Sequence, residues 1–163
     1  MEIKRLEKDL FSTDPDSVHN IIPTFSEKYG KFFELYNTNV INIGSSGNRS
    51  YPRNLKGFLT DYNMNQVYDK IKETFPDLKD TEDRIREGFR HYKHYFPDKK
   101  VPAVYSYMGG FNQSIVVADS VLAIGLDKYL GRDCEFYDKL GWSDYRQKNM
   151  HKEKIPSDCM RAW

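Results

Sequence analysis

Three sets of side chains in this chain are of types that do chemistry, and their spacing says what each could do. His91 and His94 stand at i and i+3 in a stretch of helical periodicity, so their imidazoles share one face and could meet a single metal ion. A zinc-hydrolase helix carries its histidines at i and i+4 with a general-base glutamate between them, and none of the four histidines here lies in an H-E-x-x-H pattern. Arg90 and Lys93 flank the pair while Ile85, Phe89 and Tyr92 mark the packed face, so His91 and His94 read as a partly solvated pair and only as weak metal candidates. Asp119 and Asp127 could share acid–base or metal work. Against this, Asp119-Ser120 is turn chemistry, and Asp127 opens the LDKYLG run where a carboxylate favours the start of a helix. The third set is Gly109-Gly110-Phe111-Asn112. It follows one strand-like run and precedes another, which makes it a connection between strands and not a phosphate cradle. Its glycines permit backbone conformations closed to other residues, and Phe111 and Asn112 can present a ring and an amide together. No serine or cysteine has a nucleophile context, and Gly-x-Ser-x-Gly is absent. Gly109, Gly110, Phe111, Asn112 and Asp127 therefore form the candidate functional surface, and no cofactor is expected.

The stretch from Val101 to Gly131 must position them. It contains three β-rich runs, Val101–Met108, Ser114–Ala118 and Val121–Leu126, joined by connections short enough to predict an antiparallel meander of three strands. The consecutive apolar residues Ile115-Val116-Val117 predict a middle strand covered on both faces. Residues 2–11 place Ile3, Leu6 and Leu10 at helical spacing but fit an edge strand equally, which would be a fourth. Around this sheet the pattern is helical. Val18, Ile21, Ile22 and Phe25 form a stripe that Pro23 should kink or divide, and Phe32, Phe33, Leu35 and Tyr36 add an aromatic turn. Residues 42–54 read as a surface loop. Leu55, Phe58, Leu59 and Tyr62 then form another stripe, and Asn63 with Gln66 resembles a capping box for a helix ending at Pro76. Asp80 can cap a longer helix from Thr81 to Phe96, and three short amphipathic pieces follow Gly131. The expectation is a single α+β domain over 1–163, with Phe89, Ile115, Val117 and Ile124 buried.

Composition excludes several functions. The 25 basic and 24 acidic side chains are interspersed and leave a net charge of +1, so no single-sign field exists for nucleic acid or anionic lipid. The longest apolar runs fall far short of the roughly 20 residues of a membrane helix. Cys134 and Cys159 lack partners in the sequence and read as two buried or half-buried thiols, with a disulfide left open.

Taken in order, IKRLEKDLF, FFELYNTNVINIG, FRHYKHYFPDKKVPAVYSYMGGFNQSI, LAIGLDKYLGRDCEFYD and IPSDCMRAW resemble the GldB family, the gliding-motility lipoproteins of Bacteroidetes and their relatives in non-gliding members of the phylum. The resemblance runs through nearly the whole chain, and YFPDKKVP, GGFN and IGLDKYLG are its most specific blocks. It implies a non-catalytic cell-envelope lipoprotein domain, periplasm-facing, serving gliding motility or envelope assembly with motility or envelope proteins as partners. The anchor would be lipid in the full-length protein, with no membrane insertion by this segment. Met1 before a charged run and Trp163 at the close fit a fragment of such a protein, without its leader and tail. The resemblance also points distantly to zincin-like peptidases, and the alternative it implies is a degenerate hydrolase whose active-site helix lies after Trp163.

Overall fold

The structure, a computed structural model, describes residues Met1–Trp163. The N-terminal stretch satisfies both of its readings: strand β1 (Ile3–Arg5) passes directly into helix α1 (Leu6–Phe11). Helix α2 (Val18–Tyr29) continues through Pro23, which does not divide it, because Val18, Phe25 and Tyr29 bury one side and offset the lost backbone hydrogen bond. Helix α3 (Lys31–Leu35) widens into a π-helical turn, Tyr36–Val40, in which the Ile41 amide reaches back to the Tyr36 carbonyl. The expected surface loop is shorter than its composition suggests. Tyr51 and Pro52 already open helix α4 (Tyr51–Thr60), since the Tyr51 ring is fully buried against Phe33.

Helix α5 (Tyr62–Thr74) starts at Asp61, whose carboxylate accepts the Met64 amide at 2.9 Å, so the cap is this aspartate and not Asn63. Helix α6 (Lys79–Tyr95) likewise begins before Asp80, with Asp77 accepting the Lys79 amide at 3.0 Å, and stops short of Pro97. Then come strands β2 (Ala103–Tyr107), β3 (Ile115–Ala118) and β4 (Val121–Gly125) and the short helices α7 (Glu135–Lys139), α8 (Asp144–Gln147) and α9 (Ile155–Ala162). The architecture is α+β, mostly helical, with one four-stranded sheet.

The sheet is mixed and not an antiparallel meander. Its order is β1-β2-β4-β3: β1 and β4 lie parallel to β2, and only β3 and β4 are antiparallel. A hairpin with Ser120 in the left-handed region joins β3 to β4, as the Asp119-Ser120 pair predicts. The error lies in the connection before it. Residues 108–114 at about 3.3 Å each easily span the roughly 10 Å across an intervening strand, so a short link did not force β2 and β3 to be neighbours. Burial decides which strand takes the centre. Every residue of β4 is buried, with Leu122 and Ile124 facing one side and Val121 and Ala123 the other. Full burial of a Leu or Ile side chain contributes about 1.5–3 kcal/mol, which an edge position would forfeit. Consequently β3 is the edge: Ile115 is half-buried and Val117 is 42 % exposed, while Ile124 and Phe89 are buried as expected. The distant zincin resemblance finds no support in this mixed sheet.

Each face of the sheet has its own core. Ile3, Val104, Leu122 and Ile124 meet Ile71 of α5, Ile85 and Phe89 of α6 and Cys159 of α9. On the opposite face Tyr105, Tyr107 and Ala123 meet an aromatic layer of Phe25, Tyr29, Phe32, Phe33 and Tyr36 from α2, α3 and the π turn. The Phe32 and Tyr105 rings stack 4.6 Å apart.

Because Phe89 also meets Tyr92 and Trp163 edge-on, Phe89→Ala should cost about 3–5 kcal/mol in chemical denaturation. Val117→Thr should stay within about 0.5 kcal/mol. Equal effects of the two would show that α6 does not cover the sheet or that β3 is not its edge.

Candidate functional site

The carboxyl ends of the parallel strands β2 and β4 lie side by side, and the chain leaves them through the two most distinctive sequence blocks. From β2 it enters Met108–Ser114; from β4 it enters a 3₁₀ turn, Leu126–Lys128. Asp127 joins the two. Its side chain does not cap its own turn, as the sequence predicts, but points back across the sheet end. There Oδ2 accepts the Gly109 amide at 3.1 Å and the Phe111 amide at 2.6 Å. Both amides lie past the last ladder position of β2 and need an acceptor once water is excluded.

This grip holds an unusual backbone. Gly110 has φ +65° and Phe111 φ +67°, a left-handed conformation that costs a residue with a Cβ. Two further tethers bind the loop to the π turn: the Asn112 side-chain amide donates to the Val40 carbonyl at 2.8 Å, and Gln113 reaches Asn39 at 3.4 Å. The Tyr36 hydroxyl donates to the Met108 carbonyl and the Tyr107 hydroxyl to that of Gln113. Gly125 admits the Gln113 carbonyl so closely that a Cβ would stand 2.3 Å from its oxygen. Phe111 itself turns inward, edge-on to Tyr137 and Trp142 and beside Phe136. Of the candidate surface, then, Gly109 and Asp127 are buried, Gly110 and Phe111 half-buried, and only Asn112 is exposed.

Burial dominates the electrostatics of Asp127. It pushes the carboxyl up to about 6, against the opposing pull of the Phe111 and Gly109 amides and of Lys128, and Oδ1 accepts no hydrogen bond at all. The backbone after it is fixed by Tyr137, whose hydroxyl donates to the Asp127 carbonyl at 2.8 Å and accepts the Leu130 amide at 2.9 Å.

The remaining candidates are dispersed. His91 and His94 lie exposed on α6 beside Glu87 and Arg90, and no group of three His, Cys, Asp or Glu side chains is placed to hold a metal. Asp119 is exposed at the tip of the β3–β4 hairpin, away from Asp127. Cys134 and Cys159 are unpaired and buried, and burial raises both thiols, Cys159 to about 12.

One buried acid went unnoticed in the sequence. Glu7 of α1 is fully buried, accepting the Arg5 guanidinium at 2.7 Å and the Ser106 hydroxyl of β2 at 2.8 Å, while Arg5 also donates to the Phe75 carbonyl. Its position three residues before Leu10, on the buried side of α1, was the available signal.

The raised carboxyl of Asp127 fixes a sign. Its native value exceeds the unfolded one near 3.9, so its contribution to stability is complete below that pH and is lost as pH rises through about 6. Asp127→Asn should abolish this dependence. Its stability deficit relative to the wild type should therefore shrink by up to about 3 kcal/mol between pH 4 and 7, with Glu7 common to both proteins. A deficit constant across that range in urea titrations would contradict the burial argument.

Comparison with known proteins bears on what this end of the sheet serves. No curated protein and no solved structure matches the chain. The profile of the family described as gliding motility protein GldB matches residues 1–163, the whole chain. The chain belongs to the GldB gliding-motility family.

Proposed function

We propose that this chain is a non-catalytic domain of a lipid-anchored, periplasm-facing envelope protein, and that its work in gliding motility or envelope assembly is to contact other envelope proteins. The membership of a gliding-motility lipoprotein family supports the setting. The contact surface proposed is the loop Gly109–Gln113 at the carboxyl ends of β2 and β4, the end of a parallel sheet segment where ligands of other folds commonly bind.

One observation carries this reading: the left-handed Phe111, held by a buried carboxylate and tethered through Asn112 to a π-helical turn. Backbone kept in such a conformation by surrounding structure is characteristic of functional sites, and so are π turns. The chemistry-bearing side chains are committed to that support. The Asp127 carboxylate faces inward, so its role is to shape the loop, while Asn112 and Gln113 stand where a partner would meet them. No helix is long and apolar enough to cross a membrane.

In the full-length lipoprotein, Asn112→Ala combined with Gln113→Ala should reduce gliding or envelope assembly severely while stability changes by no more than the loss of two hydrogen bonds, one part-buried and one exposed, about 2 kcal/mol. Wild-type gliding in the double variant, or a defect explained by lost protein in the envelope, would refute the proposal.

A further inference from the structure

Beside the loop, the next residue along from Asp127 presents a separate puzzle of charge. Lys128 is only 8 % exposed, yet its ammonium has one long hydrogen bond, 3.3 Å to the Phe111 carbonyl, and otherwise lies over the Trp142 ring, 4.1 Å from its centre. The Arg146 guanidinium of α8 lies over the same ring at 4.0 Å. Two cations sharing one ring are within about 8 Å of each other and repel. Neither has a carboxylate within ion-pair distance. The two nearby acids are engaged elsewhere: Asp127 with the loop amides, and Asp158 with the Tyr129 hydroxyl at 3.0 Å and Arg161 at 3.2 Å.

We propose that Lys128 and Arg146, gathered on Trp142, form a binding site for a small oxyanion, the phosphate or carboxylate group of a ligand. The two cations line one small surface cavity with Ser114, Asn149 and Asp158. Each wall has a function in such a site. The guanidinium offers a planar fork matched to two oxygens of one group, and the ammonium a point charge. Ser114 and Asn149 add neutral donors. Tyr129 and Met150 complete the lining, and Trp142, stacked on Tyr137 with ring centres 5.4 Å apart, is the rigid ring over which both cations are held. Asp158 sets a limit on the ligand. A carboxylate in the same cavity disfavours a full dianion, so the site suits a singly charged carboxylate or a phosphate that retains a proton. This assignment is independent of what the Gly109–Gln113 loop contacts.

The test is an NMR titration of the full chain with inorganic phosphate, with acetate, and with chloride at matched ionic strength, following the Trp142 indole and Arg146 side-chain N–H signals. Saturating shifts in the millimolar range are expected with an oxyanion and not with chloride. Phosphate alone would identify a phosphoryl ligand, and acetate, alone or alongside it, a carboxylate. Arg146→Gln, at an exposed position and so compatible with folding, should weaken binding at least tenfold, and Lys128→Met should do so if its spectrum remains native. Lys56→Gln, remote and exposed, should leave binding unchanged. Shifts absent with both oxyanions, reproduced by chloride, or undiminished in Arg146→Gln would overturn the proposal.

Discussion

The amides of Gly109 and Phe111 emerge from the end of β2 beside the fully buried Asp127, whose carboxylate receives them, the first bond buried and the second part-buried. Burying a carboxylate costs several kcal/mol, and two hydrogen bonds to a charged acceptor return about 1.5–3 kcal/mol each, so the balance is close. Removing the carboxylate would leave two buried donors unpaired, which is the more serious loss. That asymmetry makes the contact a constraint on everything nearby. With the amides fixed, Gly110 and Phe111 must turn left-handed, Phe111 must enter the space between Tyr137 and Trp142, and Asn112 must meet the π turn.

The α+β class, the helices with clear apolar stripes and the tight β3–β4 turn were legible in the sequence because each depends on residues close together in the chain. The strand order was not. Nothing within Met108–Ser114 records that another strand will enter between β2 and β3, since that outcome is set by comparing the burial of Val121–Gly125 with that of Ile115–Ala118 over the whole fold. An apolar run such as Ile115-Val116-Val117 can line a half-covered edge as well as a centre, and here Val117 faces out. The helix starts failed for a related reason: Asp61 lies two residues before Asn63 and Asp77 three before Asp80, and choosing among polar residues within one turn requires the packing that fixes that turn.

The proximity of the candidate residues was legible in the sequence, and the part each plays in the fold was not. The sequence drew attention to Gly109–Asn112 and to Asp127, and the structure joins the two blocks through the Gly109 and Phe111 amides. But an aspartate at the start of a short turn reads as a cap for that turn, and only the neighbouring strand end shows where its carboxylate goes. Glu7 was harder still. Within the charge alternation of KRLEKD it resembles any solvated acid, and its burial becomes visible only when Ser106 of β2 lies opposite.

Lys128 sits beside these carboxylates but follows a different logic. Asp127 and Glu7 are buried and give hydrogen-bond acceptors to groups that would otherwise be orphaned; Lys128 gives one long bond to a carbonyl and faces a like charge. Burial and Arg146 both pull its ammonium below the usual lysine range, while Asp127 opposes them only in part. A methionine of comparable length would fill the same space between Phe111 and Trp142 with no charge to desolvate, and replacements of that kind are often neutral or stabilising. Folding therefore supplies only a weak reason for a lysine there: one long hydrogen bond, the face of one ring and the partial pull of Asp127. An anion held between Lys128 and Arg146 would supply a stronger one, because it would turn their mutual repulsion into shared attraction and give the buried ammonium the counter-charge that the chain itself withholds.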